Sequence, residues 1–443
     1  MNMKKTLAIT IILLFFIIEI ASLIQGLVIE KSTFQIEDGN TLYVGGVEEG
    51  NYTIIQDAID DASSGDTVFV YDDSSPYFEN VIVDKTINLI GEDKSTTIID
   101  GSKSGDVVYI SAYRVNIGGF KLRNGSDGIH LYSDYNNITD NIISSNRGSG
   151  IDLRFSNSNT ITGNIISNNE WNGINLLWGS SYNTITNNTI SKNGEIPGSD
   201  GGIGLDWDSN HNIITGNTIS NNDYDGINLN RANNNTITDN IIKLNIGGGL
   251  KLYPDSNNNI IINNTISNNN YGISIGMSEN NTITGNTVNS NDNYGIHLWT
   301  NSNNNTIIEN NINLNNGDGI YINNNILFID KNIITKNIIN SNNQDGIEII
   351  YSNGNTITSN NISSNYRCGI TLTWSSSNNI KQNNFIDNDW NSFFIGCKNK
   401  WRYNYWDRPM ILPKLIFGEI EIGSKWIFWI NIDWRPALKP YDI

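Results

Sequence analysis

The chain has 443 residues, 38% of them hydrophobic, and its 45 acidic and 27 basic side chains leave a net charge of −18. That is enough apolar material for a sizeable core. The acidic balance excludes nucleic-acid binding, which needs a basic face, and suits a solvated surface protein with divalent cations nearby.

The N-terminus comes first. Met1 to Lys5 holds two lysines, Thr6 to Ile18 is apolar apart from threonines, Glu19 interrupts, and Ala21, Ser22 and Gly26 follow. Residues 1–27 read as a secretory signal or an uncleaved membrane anchor. Glu19 weighs against the anchor, because a charge is costly in lipid. Either segment puts the rest outside the cytoplasm, secreted or at the cell surface, touching a membrane only through this segment. The N-x-Ser/Thr sequons at Asn51, Asn124, Asn137, Asn187, Asn234, Asn263, Asn280, Asn304 and Asn361 are glycosylation candidates.

Residues 28–127 predict an N-terminal cap and irregular first coils. Ile54, Ile55, Ala58, Ile59 and Ala62 make one helical face, with Thr53 and Gln56 as a capping box. This helix lids one end. Strands follow at about 67–71, 79–83, 87–90, 96–99 and 106–110.

From 128 to 400 one phrase recurs about every 23 residues. A Gly-Ile segment leads to Asn-Thr-Ile-Thr, then Asn-x-Ile-Ser. Gly opens it at 128, 150, 173, 202, 226, 249, 272, 295, 319, 346 and 369, and Ser392 fills the twelfth slot. In Gly226-Ile227-Asn228-Leu229-Asn230 apolar and polar residues alternate, the period of a strand. Thr236-Ile237-Thr238 and Ile241-Ile242 are short and β-branched. Asn and Gly between them supply left-handed turns. Three short strands per circuit predict an all-β, single-stranded parallel β-helix. Twelve coils at the strand spacing give a rod of roughly 55 Å. A leucine-rich repeat has this period too, but Ile recurs on all three sides and leaves none for a helix.

Stacking turns sequence columns into ladders. The Ile column at 129, 151, 174, 203, 227, 273, 296, 320, 347 and 370, completed by Leu250 and Phe393, predicts an apolar stack inside the rod. Asn141, Asn164, Asn188, Asn217, Asn240, Asn264 and Asn286 predict an amide ladder at a corner. Cys368 and Cys397 lie one coil apart in different columns; a disulfide and two packed thiols both fit. Residues 401–443 hold five of the eleven Trp, and read as an aromatic C-terminal cap with a second use as a docking surface open.

Two sets of residues suggest function. Trp171, Trp178, Trp207, Tyr224, Tyr253, Tyr271, Tyr294, Trp299, Tyr321, Tyr351 and Trp374 lie close to the Gly-Ile strand. Flat rings among Asn, Asp and Ser predict a sugar-binding stripe along the rod; the alternative is that they pack on one another. The strongest carbohydrate-binding candidates are Trp171, Trp178, Trp207, Tyr253, Trp299 and Trp374. Asp206 and Asp208, with Asp223 and Asp225 one coil on, are the carboxylate candidates for glycan chemistry, beside the insertion Lys192 to Asp200. Asp200, Asp206 and Asp208, or Glu195, offer oxygen ligands for calcium. Asp152 with Arg154, and Asp318 with Asp345 and Glu348, are further groups. All of these also read as solvated carboxylates on an acidic protein.

Residues 51–100, with Tyr52-Thr53-Ile54-Ile55-Gln56-Asp57-Ala58-Ile59, Gly65-Asp66-Thr67-Val68-Phe69-Val70 and Ile87-Asn88-Leu89-Ile90-Gly91-Glu92, resemble the entry segment of the pectin-lyase-like superfamily. The repeats resemble the NosD-type periplasmic copper-binding family and its carbohydrate-binding and sugar-hydrolysis domain. The ending, Asn404-Tyr405-Trp406-Asp407-Arg408-Pro409 through Ile432-Asp433-Trp434-Arg435-Pro436 to Pro440-Tyr441-Asp442-Ile443, is similar to that of archaeal cell-surface β-helix proteins. The resemblance, with the usual chirality of parallel crossovers, implies a right-handed coil. Copper does not carry over. His130 and His297 share a column but stand seven coils apart, His211 lies in another, and Met277 and Met410 are isolated.

The resulting expectation is an extracellular β-helix that is structural or binds polysaccharide or cell-envelope glycans, with a polysaccharide-active enzyme at Asp206, Asp208 and Asp225 as the alternative. No cofactor beyond calcium is expected.

Overall fold

Alternating β-branched residues on three sides of a repeat leave one way to bury them all, which is to coil and stack. The structure, a computed structural model, describes residues 39–196, 201–422 and 425–443. A regular coil contains three strands, as in Ile227–Asn230, Thr236–Thr238 and Ile241–Lys243. Each pairs in parallel with the same strand of the next coil: Ile227 with Leu250, Ile237 with Ile261, Ile242 with Ile266. About 16 turns stack this way, a rod of roughly 75 Å. It exceeds the twelve-coil expectation because turns without the Gly-Ile phrase join it. The second column begins at Thr41–Val44 and runs through Thr67–Val70, Asn88–Gly91 and Asn116–Gly118.

The interior holds the inward residue of every strand; Ile227, Leu229, Ile237 and Ile242 have no exposed surface. Amide ladders occupy three corners. Asn240 donates its Nδ2 to Asn264 Oδ1 at 3.0 Å and to the Ile214 and Thr238 carbonyls at 2.9 Å. Its own Oδ1 accepts the backbone N–H and the Nδ2 of Asn217. Asn136 to Asn159 and Asn146 to Asn169 begin the other two. Buried amides with every group bonded cost little and hold neighbouring coils in one register.

The repeat glycines divide by position. Those between strands, as at Gly163 (φ 70°) and Gly216 (φ 66°), take the left-handed turns expected of them, alongside Asn234 (φ 58°) and Asn263 (φ 55°), while those that open the phrase do not lie in that region. The anchors are glycine for lack of room: a Cβ at Gly226 would sit 2.4 Å from Ile242 Cγ2 and 2.6 Å from the Gly249 carbonyl. The twelfth coil is also offset by one. Ser392, not Phe393, pairs with Ile370, and Phe394 fills the core.

Both ends are covered. The helix Ile55–Asp61 buries Ile55, Ala58 and Ile59. The capping box does not form. Ile54 is the N-cap with no side-chain bond, and Glu79, from the next turn, accepts the Ile55 and Gln56 N–H groups at 2.9 and 3.0 Å. At the other end Lys414–Ile422 and Lys425–Asp433 form an antiparallel pair. The first strand pairs with the end of the first column through Phe394 and Gly418, the second with the end of the second through Trp401 and Asp433. Cys368 and Cys397 are free thiols, both pushed up to about 11 by burial. The expected signal or anchor lies outside the described residues. Among the described residues no helix is long and apolar enough to cross a membrane.

Candidate functional site

Because strand side chains alternate, the first strand of each coil sends two columns outward, and a third precedes its glycine. In the early coils these columns carry charge. Tyr109, His130, Asp152 and Asn175 stand in register on successive strands. Asp106 and Asp127 occupy the preceding column. Asp106 Oδ2 meets His130 Nδ1 at 2.9 Å, and its Oδ1 accepts the Asp127 N–H at 3.0 Å. Asp127 Oδ1 accepts the Ser149 N–H at 2.6 Å. Arg154 donates through Nε to Asp152 at 2.5 Å, and Asn175 donates to the other Asp152 oxygen at 2.9 Å. The His130 Nε2 atom is buried with no hydrogen-bond partner.

Electrostatics split the two aspartates. Burial, reinforced by the Asp152 and Asp106 charges, pushes the Asp127 carboxyl up to about 7. Burial also opposes the charge of Asp106, but the bonds from His130 and the Asp127 N–H outweigh it and hold this group below the ordinary range. One carboxylate therefore stays ionised while its neighbour exchanges a proton near neutrality. Asp127, Arg147, Asp152, Arg154, Trp171 and Asn175 line an open groove of about 360 Å³.

Beside the groove runs an aromatic ramp. Tyr132, Phe155, Trp178 and Trp207 lie in four successive coils and are 49, 53, 44 and 50% exposed. Tyr132 meets Phe155 at 5.7 Å and Phe155 meets Trp178 at 5.5 Å. Arg154 lies 5.4 Å over Trp178, and Arg231 4.4 Å over Trp207. The described part of the 192–200 insertion flanks the groove: the Ile196 N–H reaches the carbonyl of Glu170, next to Trp171.

A second cluster lies on the same face, eight coil steps or roughly 38 Å away. The Asp345 N–H donates to Asp318 Oδ1 at 2.7 Å, and the Cys368 N–H to Asp345 Oδ1 at 2.9 Å. Burial and the Glu348 charge push Asp318 up, burial and the Asp345 charge push Glu348 up, and the two share a hydrogen bond. Tyr321 stacks on Tyr294 at 4.5 Å and on His297 at 5.1 Å. Burial lowers His297 to about 4, so it is neutral. Asp318, Asp345 and Glu348, and likewise Asp106, Asp127 and His130, each place ligand atoms within 4.8 Å of one another, a spacing a divalent cation could bridge.

The other candidates are dispersed. Asp206 ends its strand in register with Asn230, five residues from the column of Asp225, or on the order of 16 Å. Asp208 is exposed beyond the strand end. Asp225 is buried and accepts from the Gly248 N–H at 2.6 Å and the Tyr271 hydroxyl at 3.2 Å. Asp200 lies outside the described residues, and Glu195 is exposed. Asp152 with Arg154, and Asp318 with Asp345 and Glu348, do come together. The aromatic stripe divides: Tyr253 and Trp299 stack at 4.8 Å across the coil of Gly276, and Trp374 meets Trp426 of the cap at 5.6 Å. Among the sequons, Asn187, Asn234, Asn263, Asn280 and Asn304 are exposed. Asn51, Asn124 and Asn137 donate hydrogen bonds from their amides, and Asn361 Oδ1 is buried. The three histidines stay apart, His211 stacking on Tyr182 at 5.0 Å.

Sequence reasoning missed Asp106, Asp127 and His130 as a group, and Tyr132 and Phe155 as part of the ramp. Part of the signal was present: Asp127 and His130 flank the anchor Gly128, and Phe155 and Trp178 each lie five residues past their anchors, whereas Asp106 joins its column only through strand register.

Among solved structures the chain is similar to the A-module of mannuronan C-5 epimerase AlgE6 from Azotobacter vinelandii (14% identity, 78% of this chain and 92% of that chain, TM-score 0.46). It is also similar to the Dettilon tailspike protein gp208 (14%, 87% and 75%, TM-score 0.49) and to an alginate lyase from Paenibacillus sp. str. FPU-7 (15%, 61% and 94%, TM-score 0.43). No curated protein matches it. The family described as a right handed beta helix region matches residues 105–256, 200–312 and 303–405. Those overlapping matches take in the charged groove, the ramp and the second cluster, and the chain belongs to the right-handed β-helix family.

Proposed function

We propose that this protein binds a polysaccharide or cell-envelope glycan laid along the outward face of its first sheet, outside the cytoplasm. The observation that carries this reading is the ramp of Tyr132, Phe155, Trp178 and Trp207, half-exposed in successive coils beside a polar groove. Flat rings stack on the apolar faces of sugars, and Asp152, Arg154 and Asn175 supply hydrogen-bond partners. The coil spacing is comparable to the length of one pyranose ring, so successive coils meet successive sugars. The groove is open, which suits a polymer rather than a small ligand. The extracellular placement rests on Lys4, Lys5 and the apolar stretch Thr6 to Ile18, and agrees with the resemblance of the ending to archaeal cell-surface proteins.

The test is a glycan-array screen of the protein, wild type against Trp178→Ala/Trp207→Ala. Retention of one glycan class, weakened at least about tenfold in the variant at unchanged melting temperature, supports the reading. Retention indifferent to both tryptophans sinks it.

A second reading is favoured by Asp127. A carboxyl that exchanges its proton near pH 7 beside His130 and Arg154 is suited to general acid–base work on a bound glycan. On this reading the protein shortens the glycan it retains, and Asp127→Asn keeps retention but loses the products. Shortened product from Asp127→Asn at the wild-type rate rules the role out.

A further inference from the structure

The C-terminal pair of strands is apolar on both faces. On one face Leu415, Phe417, Trp426 and Phe428 are 41–62% exposed, with Phe417 and Phe428 stacked at 5.5 Å. On the other, Ile427 and Trp429 are 42 and 45% exposed. The loop just before it is more open still, with Ile411 at 93% and Leu412 at 73%. Natural sheet ends are usually blunted by charge or covered, because an exposed apolar ribbon invites association.

Charge says what covers this one. The cap, residues 401–443, holds six Lys and Arg against five Asp and Glu, a small cationic surplus at one tip of a chain whose net charge is −18. Asp433, one of the five, is fully buried. Glu419 and Glu421 stand on the first face, opposite Phe428 and Trp426 in register. Lys425 adjoins Trp426, and Arg435 and Lys439 are exposed nearby.

We infer that this ribbon is a lipid-docking element, which lowers its tip into the headgroup and outer acyl region of an anionic membrane. A protein partner, a second copy included, covers one face of a ribbon; a lipid surface takes up both. Tryptophan with lysine or arginine is the composition that settles at such an interface, where indoles sit at headgroup depth and cations meet lipid phosphates. The rod would then stand on the membrane by its C-terminal end, with its first-sheet face free along the side.

The test uses vesicles of phosphatidylglycerol and phosphatidylcholine with brominated acyl chains, and tryptophan fluorescence. Residues 1–38 contain no Trp, so lipid binding by the N-terminal segment does not enter the signal. Quenching on anionic vesicles is expected, with most of it lost in Trp426→Phe/Trp429→Phe. Ile427→Asp/Phe428→Asp should weaken partition at least about tenfold, and Lys425→Glu/Lys439→Glu should do so only on anionic vesicles. All these positions are exposed, and phenylalanine keeps an aromatic ring against Trp374 where Trp426 meets it at 5.6 Å, so the melting temperature should hold. Unchanged quenching in Trp426→Phe/Trp429→Phe, or none in the wild type, overturns the inference. Lipid-free self-association that Phe428→Asp abolishes assigns the ribbon to a second copy and also overturns it.

Discussion

Asn404 donates both its backbone N–H and its Nδ2 to Asp433 Oδ2, each at 3.0 Å. Asp433 ends a ladder that is otherwise asparagine. Each Asn passes a donor to the next coil, but the last position has no further amide to serve, and a pure acceptor fits there. Trp406 Nε1 at 3.2 Å and the Tyr403 N–H at 3.1 Å share the same carboxylate. Asp433→Ala should therefore cost about 3 kcal/mol by leaving buried donors unmet. In a stacked rod the loss should be local. Hydrogen exchange should show fast exchange confined to the last coils, with the central coils unchanged.

Gly226→Ala is expected to destabilise by about 2 kcal/mol although its backbone is open to any residue, since the new Cβ meets Ile242 and the Gly249 carbonyl. Asn234→Gly, at a left-handed exposed corner, should be neutral within about 0.5 kcal/mol. Urea unfolding of the two variants compares crowding with backbone strain. Equal effects would mean the anchors are conserved in the repeat for another reason.

Folded Asp127 keeps its proton to about pH 7, whereas an unfolded aspartate releases it near pH 4. Between these values the folded chain binds the extra proton, so stability falls as pH rises and levels off above 7, by roughly 4 kcal/mol at most. The raised Asp318 acts in the same sense. His297, held neutral down to about pH 4, acts oppositely and offsets part of this gain below about pH 6.5. Asp100 and Asp106, held below their ordinary range, also act oppositely, and their contribution is lost only as pH falls below about 4. The melting temperature should be higher at pH 5 than at pH 8, and Asp127→Asn should shrink the difference.

Phe155→Ala removes the ring that joins Tyr132 to Trp178. Because its side chain is half-exposed, stability should change by less than about 1 kcal/mol, while glycan affinity falls about fivefold to tenfold. Isothermal titration with a glycan retained on the array checks this. An unaltered affinity would place the glycan elsewhere on the rod.

The three-sided coil was legible because burial repeats. Ile129 to Ile370, and the Asn141 to Asn286 column, must recur for each coil to cover its neighbour, and recurrence is visible in one dimension. The site was legible only in fragments. Asp152 with Arg154, and Asp318 with Asp345 and Glu348, were seen because they are close in sequence or share a column. Asp225 was grouped with Asp206 by loop proximity, but strand register sets them at opposite ends of adjacent strands.

By itself, then, the sequence determined the period, the inward faces and the corner ladder, since these answer to a rule that applies in every coil. Tertiary structure alone decided what breaks the rule: Glu79 as the helix cap from 24 residues away, and Asp433 as the ladder's terminus. It also decided the meeting of Asp106, Asp127 and His130, and the ribbon that joins two columns at the rod's end. Outward and terminal side chains have no periodic partner, so their contacts are set by register and by the other end of the chain, which local pattern does not encode.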